Sequence, residues 1–232
     1  MLSWIDMAKR IHPAFKNFIL NNALDYWDKI LKEEGVPEGV KSGVCFTTSN
    51  AFCKIFDRDL GIPCRLEMVE TIAGNDHALD LFDHYCKEGD IGAFFIHLEH
   101  LNKTKGKENL TPSDPVIVGM GAGGRPDQFH FVMNLHAHGE AVDLTLDRIK
   151  RPQWGISCNN YWAKYDSMGY KNDAIFSSAI RRQSKCVLMT TKKKTPGRIE
   201  LYPERYQRQE KRLREYINWQ VRKRKMPIFF ER

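Results

Sequence analysis

The stretch Phe129 to Thr145, FHFVMNLHAHGEAVDLT, holds two apolar runs separated by a short segment ending in glycine. It reads as a β-hairpin that turns within His136 to Gly139. A hairpin commits its strands to an antiparallel sheet. "CRLEMVE" (64–70), "PVIVGM" (115–120) and "CVLMTT" (186–191) are further strand segments.

The helical segments lie mainly upstream. Residues 14 to 33 set Phe15, Phe18, Ile19, Ala23, Tyr26, Trp27, Ile30 and Leu31 on one stripe, which Gly35 and Pro37 end. A second helix starts near Cys45, carries Phe46, Ala51, Phe52, Ile55 and Phe56, and stops at Gly61-Ile62-Pro63. Residues 75 to 102 read as helix, 102 to 114 as a polar loop, and 146 to 180 carry mixed signals. Helices followed mostly by strands predict an α+β fold, with helices packed on one face of an antiparallel sheet. The boundary is drawn at a basic linker, TTKKKTPG: residues 1–190 form the domain and 191–232 a basic helical extension.

With 232 residues and 42% hydrophobic content, the chain can bury one sizeable core. No uninterrupted apolar run follows a basic start, so no signal peptide is expected, and no segment is long enough to span a bilayer. The net charge of +7 is unevenly spread. From Arg181 to the end there are 17 Lys and Arg against 5 Asp and Glu, so a mildly acidic body carries a strongly basic tail. The six cysteines, Cys45, Cys53, Cys64, Cys86, Cys158 and Cys186, form no CxxC pair and suit neither a zinc knuckle nor a disulfide framework. A reducing, cytoplasmic setting is the simplest expectation, with one cysteine special and the others apolar fillers.

Cys45 is the one singled out by position. It stands where a loop becomes an apolar helix, and there the free N–H groups and the positive end of the helix dipole favour thiolate over thiol. A thiol nucleophile also needs a base and a group that orients the base. His130, on the first hairpin strand, and Asp143, on its return strand, can meet across the pair. Direct pairing requires a turn centred between His136 and Ala137, and Gly139 points to a slightly later one, so a bulge or longer loop is an open alternative.

These residues resemble the transglutaminase-like superfamily of papain-like cysteine enzymes. The resemblance covers roughly residues 40 to 148. It rests on "GVCF" opening a helix, "LGIPCR" leading from it into a strand, "FHFVMNL" and "AVDLT", in that order. It implies a papain-like core with Cys45 as nucleophile, His130 as general base and acid, and Asp143 as orienting group. It also implies acyl transfer through a thioester, without cofactor or metal, on a protein or peptide substrate. Hydrolysis of an amide, peptide or isopeptide bond is the first expectation, since no feature specifies an amine site; transglutaminase or deamidase activity is the alternative. Val132 stands where the family often has an aromatic residue, and Leu144 where it usually has proline. Arylamine N-acetyltransferases share the Cys, His, Asp order, but their arginine and glutamate beside the cysteine are absent.

Other signals are weaker. His97-x-x-His100 and His136-x-His138 have zinc-like spacing without an HExxH partner motif. "GMGAGG" (119–124) looks phosphate-friendly, but a strand follows where a nucleotide site needs a helix, so it reads as a flexible wall of the cleft. The tail helix, 203 to 225, has an apolar seam of Tyr206, Leu213, Ile217 and Val221. It either packs on the domain or binds nucleic acid or another acidic partner, and a non-catalytic binding protein on this fold, acting through this tail, is the alternative to an enzyme. No membrane partner is expected.

Overall fold

The structure, a computed structural model, describes residues 10–35, 44–120, 130–164, 174–175, 178–192 and 205–230. Helix α1 (Pro13–Phe18) starts with proline in its first turn and His12 as its cap; a π-helical segment, Ile19–Ala23, joins it to α2 (Leu24–Glu33). The stripe read from sequence is therefore one continuous helical rod with one wide turn. It ends at Gly35, whose φ of 74° is left-handed. Helix α3 (Val44–Asp59) then leads to β1 (Arg65–Gly74).

Strand β1 runs further than the alternation of CRLEMVE predicts. Met68, Val69, Thr71 and Ala73 are all buried, so both faces of the strand are covered and a period of two no longer marks its end. Residues 75 to 102 make two helices instead of one, α4 (Asp76–Glu88) and α5 (Ile91–Lys105). Gly89, with φ 77°, ends the first, and the Asp90 carboxylate accepts from Ala93 N at 2.9 Å to cap the second. Helix α5 also takes the first four residues of the expected polar loop.

Strands β2 (Ile117–Met120), β3 (His130–Leu135) and β4 (Glu140–Asp143) follow. The mixed region resolves into β5 (Lys150–Arg151), β6 (Ile156–Ser157), β7 (Tyr161–Lys164), β8 (Ala174–Ile175) and α6 (Ser178–Ser184). Strand β9 (Val187–Lys192) and helix α7 (Arg205–Lys223) complete the chain. The start of the expected basic linker, Thr190 to Lys192, is thus strand.

The main sheet is antiparallel and curled, in the order β7-β4-β3-β1-β9-β8. Along one edge β1 pairs first with β3 (Val69↔His130) and then with β2 (Thr71↔Met120); β9 lies on its other edge. The fold is α+β. Its largest core cluster joins Phe15, Trp27, Phe52 and Phe56 of the first helices to Met133, Leu135, Val142 and Trp162 of the sheet. Leu213 and Ile217 of α7 belong to the same cluster and are fully buried, each worth about 1.5–3 kcal/mol. Arg212 binds Glu33 at 2.6 Å, Arg214 binds Asp59 at 2.8 Å, and Tyr216 stacks on Tyr26. The predicted seam therefore packs on the α1–α3 layer.

One expectation is overturned. Cys158 and Cys186 form a disulfide, with Cα atoms 5.3 Å apart at a sequence separation of 28. Neither spacing nor motif reveals it. The pairing arises because the segment after β6 runs beside the end of α6, where Asn159 N donates to Ser184 O at 3.0 Å. The expectation of a reducing compartment rests on unpaired cysteines, and this disulfide removes its ground. Among the described residues, no helix is long and apolar enough to cross a membrane.

Candidate functional site

The hairpin places the first pair of residues. Leu135 opposes Glu140, Asn134 opposes Ala141 and Met133 opposes Val142, so the turn occupies 136 to 139 and is centred between Ala137 and His138. Continued by one place, this register sets Asp143 opposite Val132, one step from His130 on the same face. Such diagonal neighbours are within reach of long side chains. No bulge is needed: His130 Nε2 donates to Asp143 Oδ2 at 2.5 Å. Both side chains are withdrawn from solvent, at 2% and 0% exposure.

Asp143 is held from two sides. Its Oδ1 accepts from Thr145 N at 3.0 Å, the local turn that an Asp two residues before a Thr favours. Its direct cross-strand neighbour is Tyr161, fully buried. Burial, reinforced by the nearby Asp143 charge, pushes the Tyr161 phenol well above its ordinary value, so it stays neutral.

Helix α3 delivers the thiol. Cys45 is its second residue, half-buried, and its side chain hydrogen-bonds the His130 ring. Since Nε2 is committed to Asp143, Nδ1 is the nitrogen that remains for the thiol. One turn further on, Ser49 Oγ donates to Phe131 O at 3.1 Å, buried. This bond ties the helix face carrying Cys45 to the backbone beside His130. Trp27 Nε1 donates to Thr48 Oγ1 at 2.9 Å and anchors the same turn to α2.

The electrostatics follow from this burial. On its own, desolvation would lower the His130 pKa. The Asp143 charge and hydrogen bond, with a smaller contribution from Cys45, outweigh it and push the ring up to about 10. At neutral pH His130 is an imidazolium held between a carboxylate and a sulfur. This arrangement can stabilise a thiolate and can hand a proton to a leaving group.

The structure thus brings Cys45, His130 and Asp143 together. Ser49 and Thr145 are contacts that sequence reasoning passes over. The signal for Ser49 was the polar run Thr47-Thr48-Ser49 at the start of an otherwise apolar helix, all three of which are buried. The remaining motifs lie elsewhere. His138 sits in the hairpin turn and stacks on Phe229; His97, on α5, bonds the Tyr85 hydroxyl at 3.2 Å. Most of the glycine-rich loop, 121–129, lies outside the described residues. Comparison with protein-family models, curated proteins and solved structures finds no match for this chain.

Proposed function

We propose that this chain is a thiol-dependent acyl-transfer enzyme of the transglutaminase-like, papain-like type, hydrolysing an amide, peptide or isopeptide bond with Cys45, His130 and Asp143. The observation that carries the reading is the buried His130–Asp143 pair at 2.5 Å with the Cys45 thiol on the ring's other side. Sequence order and the antiparallel sheet support it as well.

In the first step the Cys45 sulfur attacks the carbonyl carbon, forming a C–S bond. Backbone N–H groups at the start of α3, that of Cys45 among them, face the developing oxyanion. The C–N bond breaks, and the amine leaves with the proton held by His130. In the second step His130 takes a proton from water, and hydroxide attacks the thioester. The acid is released, and Cys45 returns as a thiolate beside the reprotonated His130. Asp143 keeps the ring oriented and stabilises the imidazolium throughout. Tyr161, neutral beside it, adds no second negative charge to the pair.

The test is a burst assay with p-nitrophenyl acetate on the full chain. We expect one equivalent of nitrophenol released rapidly per chain, one acetyl group on Cys45 by mass spectrometry, and slow turnover in water. Glycine methyl ester, added as acceptor, distinguishes transamidation if acetylglycine ester replaces acetate as the product. Acetylation spread over lysines, unchanged in Cys45→Ala, would refute the proposal and leave a binding protein on this fold.

A further inference from the structure

We propose that the exposed face of α7, with the basic run that follows it, binds single-stranded nucleic acid. The inference is independent of the acyl-transfer reading.

The argument begins with the seam. Leu213 and Ile217 are buried in the core, so the helix is fixed in rotation and presents its opposite face outward. That face carries Arg208, Lys211, Trp219 and Arg222, with Glu215 among them, all exposed, at helical spacing over about 21 Å. Lys223, Arg224 and Lys225 extend it, also exposed. From Arg205 to Lys225 the chain has nine basic residues and two acidic ones.

Several basic residues elsewhere are neutralised internally. Lys16 pairs with Glu140, Lys54 with Glu210, Arg148 with Asp28, and Arg181 with Asp83. On α7 itself, the two arginines facing the domain, Arg212 and Arg214, pair with Glu33 and Asp59. Among the described residues, the outward cations have no such ion pair. The helix therefore spends its inward charges on docking and shows the rest to solvent.

Trp219 selects the occupant. It is 48% exposed, an unusual position for indole, and Arg224 stacks over it at 4.8 Å from the ring centre. A cationic stripe with a half-exposed aromatic ring fits a chain of phosphates whose bases are free to stack. A bilayer fits less well, because the apolar face an interfacial helix would insert is already consumed by the core. An acidic protein would use the charges but has no need of the ring.

The test uses full-length protein and a fluorescein-labelled 20-nucleotide oligothymidylate, read by anisotropy from 50 to 300 mM salt. We expect binding that weakens steeply with salt. Replacing Arg222, Lys223, Arg224 and Lys225 by Gln should flatten the log–log salt slope by about 3. Trp219→Ala should weaken oligothymidylate binding roughly 5- to 150-fold, yet leave polyglutamate binding unchanged. Both variants alter exposed positions, and a thermal melt matching wild type verifies their fold. Absence of oligonucleotide binding at 50 mM salt overturns the proposal. So does equal affinity for the duplex of the same length or for polyglutamate, which would indicate charge alone or an acidic protein partner. Tighter binding to phosphatidylserine vesicles than to the oligonucleotide overturns it in favour of a membrane. Cys45→Ala should bind as wild type, which separates this result from the fate of the enzymatic reading.

Discussion

Two corners of the molecule carry the same residue types with different physics. Where α3 meets the β3–β4 hairpin stand Cys45, His130 and Asp143; on α4 and α5 stand Cys86, His97 and Asp83. Both cysteines are half-buried. At the first corner the histidine is buried, bonded at 2.5 Å to a carboxylate that is itself held by Thr145. At the second the histidine is exposed and bonds a tyrosine hydroxyl, and the aspartate is engaged by Arg181. Burial and the Asp83 charge push the Cys86 thiol up, the opposite of activation. The same residue types thus stand in two different settings, and only the first has a dry, doubly fixed carboxylate behind the histidine.

The sharpest way to break this contrast is His130→Ala. If His130 serves as the proposed general base and acid, Cys45 acetylation by p-nitrophenyl acetate should slow by about 10²- to 10⁴-fold, while Cys86→Ser changes it by less than about twofold. Asp143→Asn comes next. It should cost about 10²-fold or more in the same assay and bring the His130 titration down from about 10 toward the ordinary 6.5, observable by NMR. If rate and titration both stay put, Asp143 is not what sets the first corner apart.

The pair also imposes a pH dependence on stability. The folded-state value of His130 is raised, so the stabilisation is fully present below about 6.5, the ordinary value, and is lost as pH rises through about 10. Melting temperature should decline across that window in wild type and much less in Asp143→Asn. Activity should share the alkaline limb near 10, because the proton donated to the leaving group is then gone.

Ser49→Ala should have a smaller effect. It leaves the Phe131 carbonyl without its donor, costing about 1–3 kcal/mol in denaturant unfolding. If this bond sets the position of the thiol, acetylation should also slow by about tenfold, and Ser49→Thr should restore it. A change in stability alone would mean that the bond only joins the layers. The smallest expected change is in alkylation: iodoacetamide should reach Cys86 slowly and Cys53, 8% exposed, more slowly still, with Cys45 ahead of both at neutral pH.

Much of this architecture follows from short-range patterning. The helical stripe of 14 to 33, the helix behind Cys45, the hairpin and the tail helix with its seam are all legible, because burial on one face imprints a period of 3.6 or 2. Cys45, His130 and Asp143 are legible as candidates because a helix start, a strand and a return strand have recognisable borders. The break at Gly89-Asp90 escapes the reading of 75 to 102 as helix, although a glycine followed by a capping aspartate is a local stop-and-start signal. What the sequence could not settle depends on distance through space. The hairpin register, and with it the diagonal His130–Asp143 bond, was decided by a four-residue turn whose alternatives differ by one place. Ser49 reaches β3 only because α3 lies against it. The Cys158–Cys186 disulfide joins two segments that no local rule relates. Local patterns report which face of an element is buried. Only tertiary packing decides what that face meets, and so whether a cysteine, a histidine and an aspartate remain three residues or become one site.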